Sequence, residues 1–431
     1  MLSIEQFNVK LKQIFALEEL RGKILFTLLM LLVARIGTQI PVPGVNWQAL
    51  QQMVQGNSLL AMFNLFSGGG LARATIFALG VMPYIDASII MQLLGAVVPQ
   101  IEEMQKEGDA GRQKIVQYTR YLTIVIGFIQ AAGVSIWLYS MHMVTTENFF
   151  FFMFTSIVIL TAGTVFLMFI GEQITVNGIG NGISIIIAVN IVARVPSMVM
   201  QMSTQLHQEA FSIMIVKIIV MIVFFILLIY AICFVQLSER RIPVQYAGKG
   251  FGTNSRLASK TYIPLKIVMA GVIPIIFAYV ILMIPGLLAK VLPGNILIVK
   301  SILSQLATPT NPGYLVLEFV IVVFFSYFYT AIVFDPEKVA DNLKQSGGAI
   351  PGIRPGQETE LYLERVAIRI TTVGALFLGV VSILPSILSI VIGVQIYITG
   401  ISLLIIVGVA IDFIQQINAN LVMRDYDGFI K

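Results

Sequence analysis

Gly80-Val81-Met82-Pro83 and Gly271-Val272-Ile273-Pro274 are two near-identical stretches, each lying in the second apolar span of its half of the chain. Glycine and proline weaken a helix in its interior, so a matched pair of such points indicates two copies of one helical bundle. Both residues are also common in membrane helices, and four-residue matches arise by chance. The tetrapeptides alone therefore leave an internal repeat and a coincidence equally open.

The amino-acid composition defines the class of protein. With 57% hydrophobic and 11% charged residues, the chain of 431 residues has too few polar side chains to cover a soluble globule. We therefore predict an all-α polytopic membrane protein, whose spans each need about 20 apolar residues. Ten such spans are predicted, at residues 24–40, 75–98, 121–141, 149–170, 180–195, 211–236, 263–284, 313–334, 366–384 and 391–413.

The distribution of basic residues predicts the topology. Lys and Arg collect in cytoplasmic loops, and with the amino terminus inside, 21 of the 27 Lys and Arg fall on the inner side of the ten spans. Both termini are thus predicted to be cytoplasmic. Ten spans divide into two halves of five. Because five is odd, the second half starts on the other side of the membrane and crosses it in the opposite sense. We predict inverted halves, 1–205 with spans one to five and 206–431 with spans six to ten, and a pathway at their interface.

The sequence contains no P-loop and no zinc-ligand spacing, so neither an enzyme nor a cofactor or metal site is predicted. The glycine-rich stretch 178–182 is not followed by Lys-Ser or Lys-Thr, and it predicts a tight turn between spans four and five rather than a phosphate cradle. The single Cys233 lies in an apolar span and is predicted to serve packing.

Ionisable residues inside a membrane are costly and tend to be functional. Arg35, Asp86 and Arg369 are predicted to lie within spans, whereas Glu318 and Asp412 lie close enough to span ends to reach water. An ion-driven transporter usually keeps carboxylates near the midplane, where Asp86 stands nearly alone. This weakens a small-solute transporter as an alternative without removing it. Asp86 itself is predicted to face a gate or an aqueous funnel rather than lipid.

Two long inner loops, residues 238–262 and 335–365, carry basic tips. Topology-setting charge is one interpretation of these tips. However, prolines and glycines on both sides of Arg354 stiffen its loop, and arginine suits phosphate or carboxylate partners. A surface that docks a ribosome or an acidic motor protein is therefore predicted, with these residues: Arg240, Arg241, Lys249, Arg256 and Arg354.

Many segments of the chain, in order from end to end, resemble the SecY family, the channel subunit of the bacterial Sec protein translocase. The matching segments are Arg35 to Gly37 with Ile40 to Gly44, Met62 to Asn64 with Phe66 to Gly69, Ile76 to Ile85, Ala87 to Ile90, Lys106 to Gly108, Gln117 to Tyr121, Gly171 to Thr175, Gly178 to Ile187, Gly271 to Pro274, Phe328 to Ala331, Ala340 to Lys344 and Pro351 to Gly356.

The resemblance implies a central hourglass pore and a re-entrant plug at about residues 57–70, between spans one and two. The plug residues it implies are Leu60, Met62, Phe63, Asn64, Phe66, Ser67, Gly68 and Gly69. The family's pore ring maps onto aliphatic residues, which can close around any extended chain and which dewet when the pore is empty. They are Val81, Ile85, Ile187, Ile191, Ile276 and Ile405.

The resemblance also implies a lateral gate between spans two and seven, through which transmembrane segments reach lipid. Its residues are Gly80, Pro83, Asp86, Ile90, Gln92, Gln130, Val268, Gly271 and Pro274. Asp86 stands where a small polar residue is usual, and Val268 where the bacterial pattern often has Asn, which puts the polar contacts of a closed gate in doubt.

The function that the resemblance implies is passage of unfolded secretory polypeptides across the bacterial inner membrane, driven by SecA or the ribosome. Expected partners are SecE, SecG, the SecA ATPase, the ribosome, precursors with signal sequences and the lipid bilayer, without nucleic-acid specificity. A secondary transporter of a small solute remains the main alternative, and an assembly scaffold for membrane complexes is a weaker third.

Overall fold

The computed structural model describes residues 17–55, 58–145, 148–206, 211–246, 261–269, 271, 273–291, 297–306, 308–309, 311–394, 396 and 398–430. Helices form most of this part of the chain, together with four short strands. The chain divides into two compact units. Unit 1 comprises Met1–Met200 with Val409–Lys431, and unit 2 comprises Gln201–Gly408.

Unit 1 contains eight helices and the end of the last one, as far as the described residues show. They are α1 (Glu18–Gly37), α2 (Trp47–Gln55), α3 (Ser58–Phe66), α4 (Met82–Val97), α5 (Pro99–Lys106), α6 (Asp109–Ser140), α7 (Phe149–Asn177), α8 (Gly182–Leu206, whose last turns belong to unit 2) and the second half of α15 (Gly400–Ile430).

Unit 2 joins six further helices to two small antiparallel sheets. Its elements are α9 (Phe211–Leu237), β1 (Glu239–Pro243), β2 (Gln245–Tyr246), β3 (Tyr262–Lys266), α10 (Ile273–Val291), α11 (Leu297–Gln305), α12 (Pro312–Val333), α13 (Pro336–Gln345), β4 (Gly348–Ala349), α14 (Gln357–Ile392) and the start of α15. Strand β1 pairs with β3, and β2 pairs with β4.

The predicted membrane spans all correspond to helices. By length and apolar composition, seven described helices could each cross a membrane, and α4 with α5, which meet at a bend of 101°, could form an eighth span. Helix α1 carries charged residues at both ends, and the apolar part of α10, Ile273–Gly286, is short, so these two fall outside that count. With them, the ten spans predicted from hydropathy are present.

The two Gly-Val-x-Pro stretches have the same local structure, and it differs from the predicted one. Gly80 and Gly271 both have left-handed backbone, with φ of 59° and 62°. Helix α4 begins at Met82 and α10 at Ile273, so that Pro83 and Pro274 each occupy the second helical position. Proline is favoured there because its missing N–H has no helical partner to lose. The motif therefore starts a helix, and the prediction that it weakens a helix interior is wrong.

The two glycines offer a matched pair of substitutions. A Cβ added at Gly80 would lie 3.3 Å from Ser67 Cα, whereas one at Gly271 meets nothing within 4 Å. Both Gly80→Ala and Gly271→Ala should cost about 1–2 kcal/mol because of the left-handed backbone. We expect Gly80→Ala to lower the thermal unfolding midpoint further, because it also crowds Ser67. Equal midpoints for the two variants would contradict this contact.

Other span boundaries differ from the predicted ones because some apolar segments at the ends of the predicted spans form a strand or turns in place of a helix. Strand β3 occupies the start of the predicted seventh span, and the turns at 67–81 occupy the start of the second. Helix α14 extends the ninth span at both ends, and the tenth span begins at Gly400 rather than 391. Hydropathy locates the apolar centre of a helix, whereas hydrogen bonding determines where it ends.

The glycine-rich stretch 178–182 is the predicted tight turn between α7 and α8. The N–H of Gly182 donates to Thr175 Oγ1 at 2.9 Å, and the N–H of Ile179 donates to Thr27 Oγ1 of α1 at 3.2 Å. A Cβ at Gly182 would overlap the carbonyl oxygen of Gly171. The glycines thus permit close packing of three helices, which explains their presence without a phosphate ligand.

Candidate functional site

The segment that was predicted to form a plug consists of α3 and the turns that follow it. Asn64, which is fully buried, closes this segment on itself. Its Oδ1 accepts from the N–H of Ala72 at 2.9 Å, and its carbonyl oxygen accepts from the N–H of Gly69 at 2.9 Å. Ser67 Oγ accepts from the N–H of Leu71 at 3.1 Å. These bonds hold an irregular backbone in a defined shape, as buried backbone requires.

Two side chains from other helices of unit 1 anchor this segment. Asn190 of α8 donates through Nδ2 to the carbonyl oxygen of Phe66 at 3.1 Å, and Arg35 of α1 donates through Nη1 to that of Gly68 at 3.2 Å. Asn190 is buried, as are Leu60, Phe66 and Ser67. The side chain of Met62 lies outside the described part of the chain. Asn190 is a site residue that the sequence analysis missed, although a lone Asn among aliphatic residues of a span is the signal that could have identified it.

The predicted pore-ring residues are all buried aliphatic side chains. In unit 1, Val81 immediately precedes α4, Ile85 lies in its first turn, and Ile187 and Ile191 lie one turn apart on α8. In unit 2, Ile276 lies in the first turn of α10 and Ile405 on α15. Within each unit these positions adjoin helix starts or lie on one helical face, so their role as a ring stays a prediction.

The predicted gate residues of unit 1 include one polar bridge between helices. Gln130 of α6 donates through Nε2 to Asp86 Oδ2 of α4 at 2.7 Å. The other oxygen, Oδ1, is buried and has no partner among the described residues. Half-buried Gln92 donates to Ser88 Oγ at 3.2 Å, while Ile90 is exposed. Asp86 therefore packs against α6.

The remaining gate residues adjoin the two helix starts. Pro83 is buried near Gly127 of α6, where a Cβ would lie 3.8 Å from the proline Cβ. In unit 2, Val268 and Pro274 are buried on either side of Gly271. Each unit thus presents the same Gly-to-Pro helix start, and the role of these residues as a gate stays a prediction.

The two basic loops of unit 2 are joined, which the sequence analysis did not predict. Gln245 of β2 pairs with Ala349 of β4, and Tyr246 with Gly348. Beneath them the loops share an apolar core of Ile242, Leu265, Ile350 and Leu363. The strand pairing brings the loop of Arg240 and Arg241 to that of Arg354. We call this assembly, residues 239–246, 262–266 and 336–356, the loop platform.

Arginines project from the loop platform. Arg240, Arg241 and Arg354 are exposed, whereas Lys249 and Arg256 lie outside the described residues. Arg241 donates to Glu239 Oε1 at 2.8 Å and lies 4.8 Å from the centre of the Tyr262 ring. The hydrogen bond to Glu239 raises the pKa of the Arg241 guanidinium. Arg354 makes no ion pair with a described residue, and its loop is held by the bond from Thr359 Oγ1 to its carbonyl oxygen at 2.8 Å.

The platform helix α13 has a defined start. Asp335 caps it by accepting from the N–H of Lys338 at 3.1 Å, and it also pairs with the Lys338 ammonium at 3.0 Å. The N–H of Lys338 is the main cause that lowers the pKa of the Asp335 carboxyl. This cap fixes the direction in which the chain leaves α12.

The environment of one ionisable residue, Glu318, differs from the predicted one. Glu318 was expected to reach water at a span end, but its side chain is only 2% exposed. It lies within α12, which packs against α14. The expectation was wrong because position along a span does not report which face a neighbouring helix covers. Asp412, by contrast, is exposed on α15, and its access to water stays a prediction.

Ten helical spans, an anchored irregular segment between the first two, and a basic loop platform define a polytopic helical membrane protein. A family model described as SecY matches residues 75–414. The SecY subunit of the protein translocase of Haemophilus influenzae is 44% identical over 417 residues, covering 96% of this chain and 94% of that protein. That of Escherichia coli K12 is 42% identical over 425 residues, covering 96% and 95%. The chain belongs to the SecY family.

Solved structures show the same fold. One described as a protein-conducting channel has a TM-score of 0.64 at 18% identity, covering 93% of this chain and 92% of its own. Sec61 from a canine ribosome-channel complex has a TM-score of 0.59 at 17% identity, with coverage of 93% and 92%.

The function follows from the family and the fold together. The chain is a multi-span membrane protein that serves as the protein-conducting subunit of a translocon. The comparisons do not favour the small-solute transporter. SecY is a channel subunit, a family not known for enzymatic activity.

Proposed function

We propose that this protein conducts unfolded polypeptides through a pore between two inverted five-helix halves, residues 1–205 and 206–431, and releases transmembrane segments through a gate between spans two and seven. The observation that carries this proposal is the shared structure of the two helix starts. Each has a left-handed glycine, a proline at the second helical position and a buried ring residue five positions after the glycine: Ile85 after Gly80, and Ile276 after Gly271.

The anchored segment at residues 58–70 acts in this proposal as the plug of the resting channel. Its hydrogen bonds to Asn190 and Arg35 support a closed state in which this segment occupies a defined position. The side chains of the ring have no hydrogen-bonding group, so they can close around a polypeptide of any sequence. The ring residues are Val81, Ile85, Ile187, Ile191, Ile276 and Ile405.

The loop platform acts in this proposal as the docking site of SecA or a translating ribosome. Exposed arginines on a stiff loop suit carboxylates and phosphates, and Arg354 is free of ion pairs among the described residues. SecE and SecG complete the complex in the bacterial inner membrane, with both termini of this chain in the cytoplasm. The excess of basic residues in the inner loops supports that orientation.

Crosslinking of a stalled secretory chain tests the pore. Cys233 is the sole cysteine, so Cys233→Ser provides a background for single cysteines at Ile85 and Ile276. We expect both to crosslink to a cysteine in the trapped polypeptide. A cysteine at Leu29, which is 53% exposed on α1, is the matched control and should not react. Equal labelling of all three positions would refute the pore, and ion-dependent uptake of a small solute would favour the transporter.

Asp86 offers a second test, which concerns the gate. Asp86→Leu removes the bond to Gln130 and leaves the amide of Gln130 without its partner. Loss of a hydrogen bond to a charged group is worth about 1.5–3 kcal/mol. We expect a resting ion leak at least about fivefold above wild type in proteoliposomes, with altered translocation. Asp86→Asn, which keeps an acceptor oxygen, should stay near wild type; wild-type leak and export in Asp86→Leu would remove Asp86 from gating.

A further inference from the structure

Three arginines of unit 1 surround the turn that follows α3. Arg35 of α1 bonds to the carbonyl oxygen of Gly68, as described above, and a Cβ at Gly69 would lie 3.4 Å from Nη1 of Arg194 of α8. Arg73 bonds through Nη1 to Gln39 Oε1. Arg194 interacts electrostatically with both of the other guanidinium groups. We call Arg35, Arg73 and Arg194 the arginine cluster.

No negative charge among the described residues balances the arginine cluster. The ion pairs found in the described part of unit 1 lie elsewhere, between Lys23 and Glu19, Lys114 and Glu107, and Arg120 and Glu172. Carbonyl and amide oxygens are the acceptors that Arg35 and Arg73 use. Like charges brought close together in a partly buried site repel one another, and a counter-charge offsets that cost.

Buried donors without partners lie at the same turn. Arg194 Nε is buried and has no partner among the described residues. Asn64 Nδ2 is in the same situation, and the Asn64 residue is 0% exposed. Arg194 approaches Gly69 through Nη1 and Cδ, and the carbonyl oxygen of Asn64 accepts from the N–H of the same glycine. A buried donor that lacks an acceptor costs about 1–3 kcal/mol, so donors of this kind point to a ligand that accepts hydrogen bonds.

We propose that the arginine cluster and Asn64 bind one compact inorganic anion, chloride or phosphate, against the Gly68–Gly69 turn. The anion supplies the missing acceptor and the missing counter-charge, and it stabilises the segment at residues 58–70 in its observed position. This site is separate from the ring, the gate and the loop platform. It does not depend on whether the segment acts as a plug.

Thermal unfolding of the full chain in detergent tests the site. The chain has two tryptophans, Trp47 and Trp137, and both lie in unit 1, so their fluorescence reports that unit. At constant ionic strength, replacing gluconate by chloride or phosphate should raise the unfolding midpoint saturably, by about 2–4 °C. Arg194→Gln should abolish the response, whereas Arg112→Gln, which removes an exposed cation of α6, should keep it.

Several outcomes would overturn the site. These are equal midpoints in gluconate, chloride and phosphate, or an equal anion response in wild type and Arg194→Gln, which would indicate a general salt effect. Stabilisation by phosphatidylglycerol without a response to either free anion would assign the arginines to a lipid headgroup instead. If Arg194→Gln fails to fold, Arg73→Gln, at an exposed position, replaces it and should weaken the half-saturating anion concentration at least about tenfold.

Discussion

Arg354→Glu should reduce motor-driven export at least about tenfold while leaving a correctly folded channel. The guanidinium of Arg354 is exposed. The loop that carries it turns at Gly352 and Gly356, whose backbones are left-handed with φ of 81° and 105°. Because the loop core lies beneath it, reversing this charge disturbs no buried contact. A negative charge at a docking surface repels an acidic partner, and each 1.4 kcal/mol of lost binding free energy lowers the affinity about tenfold.

Export of a precursor into membrane vesicles by SecA measures this effect. Lys344→Glu is the matched control, since Lys344 is an exposed cation of α13 in the same platform. We expect Lys344→Glu to export at close to the wild-type rate, and both variants to unfold at the wild-type midpoint. Undiminished export in Arg354→Glu would show that the charge of Arg354 only sets topology.

Asn190→Ala should favour release of the segment at residues 58–70 and raise the resting ion leak roughly 2- to 13-fold. The side chain of Asn190 is the donor to the buried carbonyl oxygen of Phe66, and its removal breaks this bond. One such hydrogen bond contributes about 0.5–1.5 kcal/mol, which corresponds to this range in the population of the released state.

Conductance of proteoliposomes without precursor is the measurement for Asn190→Ala. Asn177→Ala is its matched control, because Asn177 is an exposed residue of the same unit whose side-chain amide bonds, among the described residues, to Gln173 of the same helix at 2.9 Å. The control should stay as tight as wild type. If both variants seal equally well, the bond from Asn190 does not hold the segment.

Two features of the fold differ from the predictions for one physical reason. Glycine and proline at 80–83 and 271–274 were interpreted as weak points because both residues disfavour helix interiors. The same residues are favoured just before and at a helix start, and hydropathy cannot distinguish the two cases since the flanking residues are apolar either way. Likewise, Glu318 lies near the end of its apolar run, but its depth depends on the packing of α14.

The sequence by itself determined the class of protein, the number of spans and the positions of the basic loops. These depend on composition and on runs of apolar residues, which are local properties that a bilayer translates directly into structure. The tight turn at 178–182 was likewise accessible, because it depends on residues that are neighbours in the chain. The ring positions came from the family resemblance and stay a prediction.

Only the tertiary structure decided how distant segments meet. The bond from Asn190 to Phe66 joins residues 124 positions apart, and β2 pairs with β4 across α10 to α13. The approach of Arg35 and Arg194 to one glycine turn is of the same kind. Such contacts are chosen by the mutual packing of whole helices, which satisfies buried donors and acceptors at long range, and no local pattern of residues encodes the partner.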